Sequence, residues 1–350
     1  MTDGSLQRVK LQPVFLEKSR LFRRGKNEGN FNIFHSMLAG MTRSEREEFS
    51  LSGYSSSDLT WMSPWLGTNQ KTEEENKTSF ASWKNALVLL GIPLCDIMRV
   101  LAAVMLVGNM QFDWPHDHCM GRVAKLLGVG QDCLLAGLWK RTHNIKGTLF
   151  TRNLDEKEWQ LAKTGLAGSL YMRTVYMIIR RVNSHHPAPP PGSSDHDKSV
   201  ESVLLPAPSS IGILDMFGWQ SSMQSPCSLE QLCMNLCSES MQQLYISHTI
   251  KHAVEAGRDC SSSYACSDNA ASIHLISSLD CGLFKYLDRE TSMRGDCQSL
   301  INSFHTVHRS NQNMVKIDKN YSSCFGIKHY LGTVVYDASH FIGILLLIIT

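Results

Sequence analysis

Ile213-Leu214-Asp215-Met216-Phe217-Gly218-Trp219-Gln220 is the stretch whose reading decides the fold. Together with the residues before it, Ser210-Ile211-Gly212-Ile213-Leu214 makes a short apolar run that ends in Asp215. Such a run fits a buried strand of an α/β sheet, its carboxyl end delivering a polar residue to a crevice. Taken alone, Asp215 to Gln220 also fits an ordinary strand-to-loop turn. Further on, Ser228-Leu229-Glu230-Gln231 has the Ser-x-x-Gln form of a capping box, in which two side chains satisfy orphan backbone N–H groups at a helix start. Leu229, Leu232, Cys233, Leu236, Leu244 and Tyr245 are expected along one face of that helix. Strand, polar turn and long helix together have the geometry of a switch at the end of a sheet.

Outward from this stretch, apolar periodicity predicts a mixed α/β chain that is predominantly helical. Residues 11–40 read as amphipathic helix, with Phe31, Phe34, His35 and Leu38 at three- and four-residue spacing and Gly40 in the place of a C-terminal cap. The polar stretch 68–79 reads as a surface connection, leading to a helix over 80–91 that carries Phe80, Trp83, Leu87 and Leu90. Residues 97–107 are apolar almost all round, the pattern of a helix buried between neighbours. Residues 155–183 read as a long helix with Trp159, Ala162, Leu166, Leu170, Val175, Ile178 and Val182 near one face. It stops at SHHPAPPPGSSDHDKS (184–199), where proline and glycine fill five of six positions and forbid both helix and ladder. The expected linker loop spans 184–209, and the serine-rich stretch 259–267 reads as a second loop.

Composition bounds the function. The chain has 350 residues, 43% hydrophobic and 19% charged, enough apolar material for a sizeable core and too much for global disorder. Lys+Arg 34 against Asp+Glu 32 is too balanced for a dedicated nucleic-acid or polybasic membrane binder. The first residues, MTDGSLQRVK, lack the apolar core of a secretory signal. The apolar run 341–349 falls far short of the roughly 20 residues that a spanning helix needs. Eleven cysteines, an odd number with no C-x-x-C pair, fit reduced thiols and a cytoplasmic location. His116-Asp117-His118-Cys119 has metal-capable side chains but no second pair nearby, so a polar loop is the better reading than zinc. Arg20, Arg23, Arg24 and Lys26 read as a solvated or salt-bridging face, and no G-x-S-x-G motif supports a serine hydrolase.

Four blocks, in order, carry a resemblance. The stretch Ile213–Gln220 resembles the switch II segment of myosin motor domains, usually written DIFGFE, and Ser228-Leu229-Glu230-Gln231-Leu232-Cys233-Met234-Asn235 resembles the start of the myosin relay helix. Upstream, Leu16-Glu17-Lys18-Ser19-Arg20 and Asn30-Phe31-Asn32-Ile33-Phe34-His35 with Leu38-Ala39-Gly40 resemble the LLEKSR…NFHIFY..LAG block. Downstream, His329-Tyr330-Leu331-Gly332-Thr333-Val334-Val335-Tyr336 resembles HYAGTVxY.

By this resemblance the chain is part of a P-loop NTPase-type myosin head, an internal fragment lacking the phosphate-loop part. Residues 1–183 would be the helical upper half of the actin-binding region, with 149–160 near its actin-facing loop. Residues 210–343 would be switch II, the relay helix and the lower half, and 344–350 an apolar tail outside the family pattern. No G-x-x-x-x-G-K-[ST] and no switch I sequence occurs, and family order places both before residue 11. In the full-length protein the resemblance implies ATP and Mg²⁺ as cofactors and the actin filament as partner, at the actin cytoskeleton or cell cortex. Light-chain sites are not expected in this segment. Asp215 would meet Mg²⁺ through water, and the Gly218 N–H would approach the γ-phosphate. Gln220 stands where the family has Glu, keeping the shape but not the charge that pairs with a switch I arginine. Leu283, Phe284, Tyr286 and Leu287, within a helix–loop–helix over 282–308, would offer an apolar contact to actin. The weakened Gln220 position leaves an alternative open: a catalytically weak pseudo-motor that holds actin or cortical partners as a scaffold.

Overall fold

A computed structural model describes residues 9–14, 18–21, 29–56, 58–62, 71–112, 118–145, 148–184, 211–221, 226–251, 268–293, 295–317 and 322–349. The chain divides into two compact units, 1–213 and 214–350. All of the expected linker 184–209 but Ser184, and the loop 259–267, lie outside the described residues, as do His116, Asp117, Arg23, Arg24 and Lys26.

The first unit is a stack of helices: α1 (Asn32–Gly40), α2 (Arg43–Glu48), α3 (Glu73–Leu89), α4 (Leu94–Asn109), α5 (His118–Leu127), α6 (Gln131–Trp139) and α7 (Glu156–Asn183). Between α6 and α7 stands an exposed antiparallel hairpin, β1 (Lys140–Ile145) and β2 (Thr148–Asn153). The all-round apolar pattern of 97–107 is realised in α4, which is buried from Leu101 to Gly108 and packs against α5 and α7. Its C-terminal carbonyls, at Gly108 and Met110, accept from the buried Lys163 ammonium of α7 at 3.4 and 3.0 Å. Residues 9–14 are not helical. The Asn183 side chain takes both main-chain groups of Leu11 at 2.7 Å, and α1 begins only at Asn32.

Three local expectations for this unit are corrected. Gly40 is not a left-handed cap; it is the last helical residue, and a Cβ there would sit 2.5 Å from the Phe80 ring. Its role is to let α3 approach α1. The stretch 68–79 is not a connection throughout, because Thr72 and Glu75 form a capping box that starts α3 at Glu73. In α7 the buried stripe is Trp159, Lys163, Ala167, Tyr171 and Thr174, one position round from the expected apolar set, whose members Ala162, Leu166 and Leu170 are half-buried.

The second unit surrounds a three-stranded antiparallel sheet in the order β3 (Met314–Val315), β4 (Cys324–His329), β5 (Gly332–Asp337). Around it lie α8 (Leu229–Tyr245), continued by one wider turn over Ile246–Lys251, then α9 (Ala270–Ser277), α10 (Leu283–Met293), α11 (Cys297–Val307) and α12 (Phe341–Ile349). Phe325 on β4 is central to the core, with Phe304, Tyr336 and Phe341 rings at 5.2, 5.6 and 5.9 Å. Ile344 and Leu345 of the tail pack against the same core. The strands among the described residues are small and antiparallel, without the parallel sheet that an α/β reading implies; the helical predominance holds.

Candidate functional site

Residues 211–221 run as an exposed, irregular segment and not as the expected buried strand. Ile211 and Ile213 are 77% and 89% exposed, and Leu214 and Phe217 also face solvent. The physical reason is pairing: a strand is stable only when a neighbouring strand takes its N–H and C=O groups, and among the described residues no strand pairs with 211–218. Asp215 and Gly218 are both exposed, and a Cβ on Gly218 would meet nothing within 4 Å. The segment contains no Lys or Arg. It offers one carboxylate and an unobstructed main chain, which fit two of the contacts a hydrated Mg²⁺ and a phosphate would need.

The segment makes its packing contacts at its end. Trp219 lies edge-on to His329 and Tyr330, ring centroids 4.9 and 5.5 Å apart. The Gln220 N–H donates to Asn235 Oδ1 at 2.8 Å, and the Gln220 carbonyl accepts from Asn235 Nδ2 at 2.7 Å. The Gln220 side-chain amide turns back to the Gly218 carbonyl at 3.1 Å, a bond that an ionised Glu could not donate.

Asn235 is delivered by α8, whose position is fixed at both the cap and the sheet. Ser228 accepts from the Gln231 N–H while the Gln231 side chain accepts from the Ser228 N–H, the expected capping box. Just before it, Cys227 makes a parallel bridge to β5, donating to the Val335 carbonyl and accepting from the Asp337 N–H at 2.8 and 2.9 Å. The face that α8 turns inward is Leu229, Leu232, Asn235 and Glu239, whereas Leu244 and Tyr245 of the expected face are exposed.

From Asn235 a chain of hydrogen bonds continues through the unit. Its Nδ2 donates to the Tyr336 hydroxyl at 2.7 Å, Tyr336 meets His329 Nε2 at 2.9 Å, and His329 Nδ1 meets Glu239 Oε1 at 3.0 Å. Glu239 also accepts from the Tyr330 N–H at 3.0 Å and from the Asn269 amide. Asn235, Glu239 and Tyr336 are fully buried and His329 nearly so. Burial pushes the Tyr336 hydroxyl well above the usual phenol range, against the opposing pull of Asn235, so it stays protonated and able to donate. Burial likewise pushes the Cys233 thiol up to about 11.

Elsewhere the expected contact residues divide. Leu283 and Leu287 are 1% and 2% exposed and belong to the core, because α10 packs between α9, α11 and α12 and turns this stripe inward. That corrects their expected place on a docking surface. Phe284 and Tyr286 are half-buried, with the Arg289 guanidinium over the Tyr286 ring at 5.3 Å. Asn235, Glu239, His329 and Tyr336 were not singled out from the sequence as site residues. The signal was present: two polar residues one turn apart continue the apolar stripe begun by Leu229 and Leu232. Among the described residues no group of three or more His, Cys, Asp or Glu could hold a metal, and no helix is long and apolar enough to cross a membrane.

The family described as myosin head (motor domain) matches residues 2–343. The chain is 24% identical over 358 residues to unconventional myosin heavy chain 6 of Caenorhabditis elegans. It is 25% identical over 360 residues to myosin-VIIa of Drosophila melanogaster, and 23% over 356 residues to unconventional myosin-VIIb of Mus musculus. Each comparison covers 97% of this chain and 16% of the relative, so the chain spans about a sixth of the length of the curated relatives it matches. With a family match from residue 2 to residue 343, the chain belongs to the myosin head (motor domain) family.

Proposed function

We propose that this chain is part of an actin-based motor in which 215–220 serve as the nucleotide-facing switch and α8 as the element that receives its movement. The observation that carries this reading is the pair of bonds between the Gln220 main chain and Asn235. A displacement of the exposed Asp215–Gly218 stretch would pull on Gln220, whose N–H and C=O are both tied to α8. Asp215 would accept hydrogen bonds from waters on Mg²⁺, and the Gly218 N–H would donate to the terminal phosphate of ATP; the metal and nucleotide supply the reacting charge. This chain's own contribution is to hold those two groups in place and to carry their shift into α8. Residues 1–183 and 210–343 would be the upper and lower actin-binding parts, with Phe284 and Tyr286 remaining as the aromatic contacts of the lower one.

Gln220 lowers the expected hydrolysis rate. A neutral amide leaves the family's switch I arginine without its ionic partner, and its turn towards Gly218 occupies the group that would help orient water. The test uses the longest form of the protein that contains these residues. Asp215→Ala should weaken binding of a fluorescent ATP analogue with Mg²⁺ by about tenfold or more. Gln220→Glu should raise ATP turnover. Unchanged nucleotide affinity in Asp215→Ala would remove the switch assignment. Strong actin co-sedimentation with no turnover in either form would favour the scaffold alternative instead.

A further inference from the structure

We propose that Glu239 is a positioning residue for the 215–220 segment: through His329 and Tyr336 it fixes which way the Asn235 amide faces, and Asn235 holds the Gln220 main chain. The proposal deepens the switch reading and rests on it for its functional meaning. The argument is one of donors and acceptors in a dry site. Every neighbour of the Glu239 carboxylate is placed to donate: the Tyr330 N–H, the Asn269 amide and His329 Nδ1. The histidine therefore carries a hydrogen on Nδ1, and Nε2, 2.9 Å from the Tyr336 hydroxyl, is the acceptor open to that hydroxyl. Tyr336, kept protonated by burial, gives its hydrogen to Nε2 and presents only lone pairs to Asn235. Asn235 must then offer Nδ2 to Tyr336 as well as to the Gln220 carbonyl, and Oδ1 is left for the Gln220 N–H. With the hydrogen on Nε2 instead, the sequence reverses. Tyr336 would need an acceptor, Asn235 would turn to provide Oδ1, and the Gln220 N–H and carbonyl would both lose their partners. In a site this buried each orphaned donor is costly, so one arrangement of the whole chain is selected.

A core that merely needs polar filling predicts no such directional coupling, and this difference supplies the test. The full chain, labelled with ¹⁵N-histidine, should show His329 with Nδ1 protonated and Nε2 unprotonated; His329→Gln identifies the signals. Glu239→Ala should shift His329 to the Nε2–H form and speed exchange of the Gln220 amide about two- to tenfold. Glu239→Gln, which keeps an acceptor oxygen towards Nδ1, should restore the Nδ1–H form and the slow exchange. An Nε2–H tautomer in the wild type overturns the proposal. So does a Glu239→Ala protein whose melting temperature falls while His329 and the Gln220 exchange rate stay as they were. If Glu239→Ala does not fold, the wild-type and Glu239→Gln spectra still decide. No nucleotide enters these measurements, so their failure is separable from a failure of the Asp215→Ala binding test, which bears on the switch reading alone.

Discussion

The two units bury their polar groups in opposite ways. In the first, α4 is encased by apolar side chains, and its buried cation, Lys163, serves as a terminal clasp on the Gly108 and Met110 carbonyls, stacked over Trp159 at 5.0 Å. In the second, one set of buried polar groups, Asn235, Tyr336, His329 and Glu239, is joined in series and reaches the half-buried Gln220. A dry apolar interior tolerates small shifts in many directions, since dispersion contacts are non-directional. A series of buried hydrogen bonds tolerates few, because moving one member orphans its neighbour. The second unit ties an exposed segment to a helix through directional bonds, the feature on which the proposed switch reading rests.

The contrast can be broken most severely in α4. Leu106→Ala removes a fully buried side chain from its centre and should cost about 2–5 kcal/mol in urea unfolding. Hydrogen exchange should accelerate first in α5 and α7, the helices packed on it. A cost below about 1 kcal/mol, typical of a surface site, would mean that this core is not close-packed.

A change that adds apolar character sharpens the same comparison. Asn235→Leu has similar bulk, and in a purely apolar core it would do little harm. Here it should destabilise by about 1–3 kcal/mol, because the Tyr336 hydroxyl loses a donor and the Gln220 main chain loses both partners. Trp219, the single tryptophan after residue 214, reports on it directly. Its emission should shift to the red as the 215–220 segment leaves His329 and Tyr330. A neutral or stabilising Asn235→Leu would reduce the series to incidental polar filling.

Thr72→Ala should cost about 0.5–2 kcal/mol, read as earlier fraying of α3, since it removes half of a capping box from an exposed helix start. The same box shows where sequence reading succeeds and where it stops. At Ser228 and Gln231 the motif was legible because an apolar run followed directly. At Thr72 and Glu75 three glutamates and a polar turn follow, so the same chemistry was masked by a polar surface. α4 was legible because burial on every side leaves an unbroken apolar record. Gly40 was misread because a cap and a close approach both demand the absence of a Cβ, and only the Phe80 ring distinguishes them. The run 210–214 was misread for a deeper reason: strand character belongs to the partner as much as to the segment, and apolar side chains do not name a partner. Of the proposed site, Asp215, Gly218 and Gln220 are named by resemblance alone, while Asn235 and Glu239 interrupt the apolar record that periodicity follows. His329 and Tyr336 stood inside a quoted block, but what joins them to α8 is a contact made only in three dimensions.

The smallest expected effect is one of pH, and it again separates the units. In the second, burial pushes His305 and His308 below the ordinary histidine value of 6.5, helped by Lys316 for the former and His274 for the latter; the Cys281 carbonyl opposes for His308. The unfolded chain then binds protons before the folded one does. Stability from these groups is intact above about pH 6.5 and falls as the pH drops through that value towards the lowered folded pKa. In the first unit, burial would raise Glu45, but the Thr42 N–H and the Lys84 ammonium outweigh it and hold the carboxyl below its ordinary value of 4.5. Stability from that group is present above about 4.5 and is lost only as the pH falls further. On acidification from neutrality, amide protection, corrected for the intrinsic exchange rate at each pH, should therefore fall in α11 before it does in α2. His308→Phe should flatten the α11 response near pH 6 without moving that of α2. Simultaneous loss of protection in both helices, or a change beginning in α2, would show that the histidines of the second unit do not set its acid limit.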